Sequence, residues 1–82
     1  MLIHKMTLYQ APHALIPGRP IAVAEQWDTP TVWFETDPNQ PVSHEIITVG
    51  TGHKVPEGWT HVDTIVNVSD TGLVLHYYSR PT

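Results

Sequence analysis

The chain has 82 residues, 40% of them hydrophobic and 15% charged, which is enough for one small domain spanning 1–82 and leaves no room for a second. Eight acidic residues outweigh four basic ones for a net charge of −4, and Lys5, Arg19, Lys54 and Arg80 are scattered. That pattern argues against nucleic acid or an anionic membrane as partner, because both are held mainly by clustered Lys and Arg.

Met1 to Gln10 includes His4, Lys5, Thr7 and Gln10, too polar for a signal-peptide core, so a soluble intracellular protein is expected. The first expected element is a strand over Met1 to Ala11, although Leu2, Met6 and Tyr9 also fit a helical face. Pro17 and Gly18 suit the centre of a type II turn. Ile21 to Asp28 reads as a strand with Ile21, Val23 and Trp27 on one face, interrupted by Glu25. Thr31 to Thr36 reads as another, with Val32 and Phe34 on one side. Asp37, Pro38 and Asn39 fit a type I turn. Val42 to Val49 gives a further strand. Trp59 to Thr71, the longest stretch free of proline and glycine, is rich in β-branched residues that favour a pleated surface. Asp70, Thr71 and Gly72 suit a tight hairpin loop with glycine in the left-handed position. The closing strand, Leu73 to Tyr78, carries apolar or aromatic residues on both faces. The expected fold is all-β, a small antiparallel sandwich or partly open barrel of about six short strands.

Six histidines raise the question of a metal. His61 and Asp63 stand two apart on one expected strand and would share a face, with His76 or His44 as a third donor from a neighbouring strand. No compact ligand motif accompanies them, and no metal or other cofactor is expected. The segment Gly50-Thr51-Gly52-His53-Lys54 has the closely spaced glycines and the cation of an anion-binding loop. It lacks the spacing and following helix of a phosphate loop, since Val55 and Pro56 come next. Its simplest reading is a bend at a strand end, and ligand binding there is the alternative.

Asp70-Thr71-Gly72 also matches the triplet of retroviral-type aspartic proteases. Ser69 before it and Leu73 after it depart from that pattern, and the supporting apolar-apolar-glycine segment is missing. Ser43, Ser69 and Ser79 lack an elbow motif, so no catalytic residue is assigned. Trp33 is out of phase with Val32 and Phe34, and if those two face the core it faces outward. Trp33, Tyr77 and Tyr78 are the candidate interface aromatics.

Ile3-His4-Lys5, Leu15-Ile16-Pro17-Gly18, Thr31-Val32-Trp33-Phe34, Gly50-Thr51-Gly52-His53 and Leu73-Val74-Leu75-His76 resemble, in that order, a family of small bacteriophage proteins of unknown function. The resemblance implies a phage accessory protein in the host cytoplasm and implies no catalytic residue. The leading expectation is therefore a non-enzymatic binding module acting on a host or phage protein. The alternatives are a small-ligand or nucleotide-binding protein using the GTGH loop, a metal-dependent or aspartic hydrolase, and a minor virion component. A homo-oligomer, most simply a dimer, is expected because the closing strand would otherwise leave an apolar edge uncovered.

Overall fold

A computed structural model describes residues 1–8 and 12–82. Seven antiparallel strands and no helix appear among them. They are β1 (Leu2–Thr7), β2 (His13–Ile16), β3 (Arg19–Gln26), β4 (Thr29–Thr36), β5 (His44–Gly50), β6 (Thr60–Val68) and β7 (Leu73–Pro81). The expected first strand is present as β1, and its continuation through Tyr9 to Ala11 lies outside the described residues. The strand absent from the sequence reading is β2, whose four residues sit between Pro12 and Pro17.

The strands form two sheets, a three-stranded one in the order β1-β4-β3 and a four-stranded one in the order β2-β5-β7-β6. Their inward faces meet in one core of Leu8, Ile16, Val23, Val32, Phe34, Ile46, Ile65, Val68 and Tyr77, with Met6, Ala14, Val62 and Leu75 packed against it. Val32 and Phe34 point inward together as their spacing requires, and Trp33 faces the other way, half-buried. The closing strand lies in the middle of its sheet, paired with β5 on one side and β6 on the other. This corrects the expectation that it forms an uncovered edge. Its apolar character belongs to a central strand.

Three turns differ from their sequence reading. Gly18 does not adopt a positive φ, so the type II assignment fails there. Glycine is needed at 18 because a side chain would run into the Glu35 carbonyl and crowd the Phe34 ring. Asp37 to Gln40 closes with a Gln40 N–H to Asp37 C=O bond of 3.0 Å, but Asn39 has φ 61°, which is the type II rather than the type I pattern. The expected shared face of Ile21, Val23 and Trp27 is not kept: a bulge at Ile21 leaves that side chain exposed while Val23 is buried, and Trp27 lies beyond the end of the strand. With Asp28 it forms the two-residue tip of the β3–β4 hairpin, both residues at positive φ, and it is 85% exposed. Gly72 does take the expected left-handed conformation, φ 81°.

β3 and β6 are edge strands of different sheets and close one side of the sandwich. The Val23 N–H donates to Asp63 Oδ2 at 3.1 Å. At the far end of the same side the Ser69 N–H donates to Glu25 Oε1 at 2.7 Å, and the Ser69 hydroxyl donates to the Asp28 carbonyl at 2.9 Å.

Gly18→Ala is expected to destabilise the domain by about 2 kcal/mol or more, because the added methyl meets backbone that cannot move without shifting β4. Urea denaturation checks this, and Gly52→Ala, a position open to solvent, is expected to cost less despite its φ of 88°.

Candidate functional site

Several of the side chains named from the sequence, His53, His61, His76 and Tyr78 among them, lie on the outer face of the four-stranded sheet. Along β7, Leu75, Tyr77 and Ser79 point inward, which turns His76, Tyr78 and Arg80 outward. Val49 of β5 is paired with His76 and therefore also lies on the outer face, yet it is only 8% exposed and stands apart from the central core. The chain after Gly50 covers it. The His53 N–H donates to the Gly50 carbonyl at 3.1 Å, with Gly52 in the left-handed region at the third position of the turn. A side chain on Gly50 would meet His53 Cδ2 at 3.3 Å and shift that exposed ring slightly, whereas Gly52 is needed for its backbone conformation.

Val49, Gly50, Thr51, Gly52, His53, Val55, His76 and Tyr78 enclose a pocket of about 180 Å³. That is smaller than the roughly 300–1,000 Å³ usual for ligand sites. The GTGH residues do come together as one turn, but Lys54 is exposed beside the pocket and does not line it.

A chain of alternating hydroxyl and imidazole groups runs across this face. Thr51 Oγ1 lies 2.9 Å from His76 Nε2, Thr64 Oγ1 lies 3.1 Å from His76 Nδ1, and His61 Nε2 lies 2.9 Å from Thr64 Oγ1. Each hydroxyl has one proton to give. Where Thr64 donates to His76 Nδ1, His61 donates to Thr64 and His76 Nε2 donates to Thr51; where His76 Nδ1 donates to Thr64 instead, Thr51 donates to Nε2 and Thr64 is free either to accept from His61 or to donate to it. The chain ties the base of the loop to β6 and β7 and fixes both imidazole rings. His61 also meets the Tyr78 ring edge-on, centroids 5.2 Å apart. Beside that pair, the Arg80 guanidinium lies 4.5 Å from the centre of the Trp59 ring, and its Nε donates to Glu45 Oε2 at 2.9 Å.

The remaining sequence candidates are dispersed. A bulge in β6 sets Val62 as an extra residue between His61 and Asp63, so these two do not share a face. His61 turns outward to Thr64, and Asp63 turns toward the other sheet, where Oδ2 accepts from Val23 and Oδ1 accepts from the Thr64 N–H at 2.9 Å. His44 bonds Ser43 through Nδ1 at 2.8 Å. Among the described residues no three His, Cys, Asp or Glu side chains are grouped to hold a metal ion. Asp70 accepts from Asn67 Nδ2 at 3.2 Å inside its turn.

Tyr77 is corrected from interface aromatic to core residue, at 1% exposure. Burial pushes its phenol above the ordinary tyrosine range, the hydrogen bond with Thr48 pulls the other way, and Glu25 adds a smaller upward push. Trp33 and Tyr78 lie on the outer faces of opposite sheets and do not form one patch. Sequence reasoning missed Thr51 and Thr64 as partners of histidine, and Trp59 and Arg80 as a stacked pair. The strand alternation at Tyr78 and Arg80 was the available signal for one of them.

Fold and face together define a small antiparallel β-sandwich with a histidine- and aromatic-bearing outer surface. The chain belongs to the family described as Domain of unknown function (DUF7352), whose model matches residues 1–82. No curated protein and no solved structure matches it.

Thr64→Val keeps the shape of the side chain and removes both hydroxyl contacts to imidazole. It is expected to cost about 1–2 kcal/mol, read by urea denaturation. It should also change the nitrogen shifts of His61 and His76 in a long-range nitrogen–proton spectrum while leaving those of His4 in place.

Proposed function

We propose that this domain is a phage accessory protein that acts in the host cytoplasm as a non-enzymatic binding module for a host or phage protein, through the outer face of the four-stranded sheet. The observation that carries this reading is the side-by-side placement of Trp59 with Arg80 and of Tyr78 with His61. Tryptophan, tyrosine and arginine are the residue types that dominate binding energy at protein interfaces. Here they are held by stacking and hydrogen bonds before any partner arrives, which lowers the ordering cost of association. The resemblance of the chain to small phage proteins supports the setting.

Affinity capture from host lysate tests it, with variants compared at equal folding. Tyr78→Ala and Arg80→Ala are each expected to reduce recovery of a specific partner by roughly tenfold or more, as expected of residues at the centre of an interface. Trp27→Ala, on a distant hairpin tip, is expected to leave recovery unchanged. Equal recovery by all three variants would contradict the assignment of the face.

A further inference from the structure

We propose that β1 pairs with β1 of a second copy, antiparallel and centred on His4, to make a two-fold symmetric dimer. Three observations lead there. The Leu8 N–H donates to the Pro30 carbonyl at 2.8 Å, and Leu8 continues the register in which Thr7 faces Thr31 and Met6 faces Val32. Backbone groups alternate in direction along a strand, so Leu2, His4 and Met6 bond β4, and the N–H and C=O groups of Ile3, Lys5 and Thr7 point off the free edge. Among the described residues β1 pairs with β4 alone.

That edge is not blunted in the usual way. Lysine on an edge strand normally discourages pairing, but the Lys5 side chain folds back across the sheet, where Nζ donates to Gln26 Oε1 at 2.5 Å and sits 5.0 Å from the centre of the Trp27 ring. The residues beside the open backbone groups are apolar and uncovered, Leu2 at 47% and Ile3 at 64% exposure.

Self-complementarity selects the occupant and the register. Only pairings that face an odd-numbered residue with an odd-numbered residue satisfy the free backbone groups. Centring on Lys5 would set two lysines directly opposite, which is unfavourable. Centring on Ile3 would use only the first half of the strand. Centring on His4 exchanges backbone hydrogen bonds between Ile3 and Lys5 of the two copies in both directions and places Leu2 of each copy against Met6 of the other. The result is a continuous six-stranded sheet. A contact along one short strand lies at the small end of protein interfaces, so association in the micromolar range or weaker is expected. The proposal is independent of the partner-binding face, which lies on the other sheet.

The chain contains no cysteine, so single cysteines report the register directly. In this pairing the two His4 residues form a pair without backbone bonds, Cα atoms about 4.5 Å apart, within disulfide range. Purified His4→Cys is expected to become a covalent dimer on mild oxidation, and Lys5→Cys is not. Ile3→Pro removes an edge donor without touching the bonds to β4, and it is expected to weaken dimerisation of the cysteine-free protein by roughly tenfold in sedimentation equilibrium. Sedimentation as a monomer up to submillimolar concentration would overturn the proposal. So would a disulfide at position 5 in place of 4, or a dimer that dissociates in Tyr78→Ala and persists in a folded Ile3→Pro.

Discussion

The carboxylate of Asp63 joins two sheets that share no backbone pairing among the described residues. β3 ends the three-stranded sheet, and the N–H of Val23 on that edge would otherwise face the gap beside β6 without a partner. Asp63 Oδ2 accepts it at 3.1 Å, and Oδ1 accepts the neighbouring Thr64 N–H at 2.9 Å. A charged acceptor for two amides is stronger than a neutral one, and its position at the margin of the core leaves Val23 and Ile65 free to pack inside. In a domain of this size, with no disulfide to supplement the core, closing one side of the sandwich in this way matters more than it would in a larger protein.

The same bulge that turns Asp63 inward sets the chemistry of the opposite surface. With Val62 as the extra residue, His61 faces outward against Tyr78 and reaches the Thr64 hydroxyl, which in turn reaches His76. Thr51 completes the chain and anchors the loop that covers Val49. One irregularity in β6 therefore supports both the attachment of the sheets and the rigidity of the outer face. The side of the sandwich that Asp63 does not close is the side where β1 presents its unpaired edge.

Much of the fold was legible because strand alternation is a strong local signal. The inward pair Val32 and Phe34, the outward Trp33 and the left-handed Gly72 all follow from spacing and turn chemistry. What was not legible depends on groups distant in the sequence. A bulge adds one residue without a compositional mark, so His61 and Asp63 read as a pair on one face when they are divided between two. The four residues of β2 are too few to show alternation between two prolines. Tyr77 and Tyr78 look equivalent in sequence, and only the position of β7 in the middle of its sheet decides that Tyr77 fills the core while Tyr78 faces out. The reason for Gly18 is similarly remote, since the obstacle to a side chain is the backbone of Glu35.

The most direct test of the account is the stability and spectrum of Asp63→Ala. Removal of the shared acceptor is expected to cost about 2–3 kcal/mol in urea denaturation, in line with the loss of hydrogen bonds to a charged group. It should also shift the amide resonances of Val23 and Thr64 together with the ring signals of His61 and Tyr78, because one bulge places all four. A variant as stable as the parent, or one whose changes stay confined to Val23 and leave His61 and Tyr78 unmoved, would contradict the claim that Asp63 couples the closure of the sandwich to its outer face.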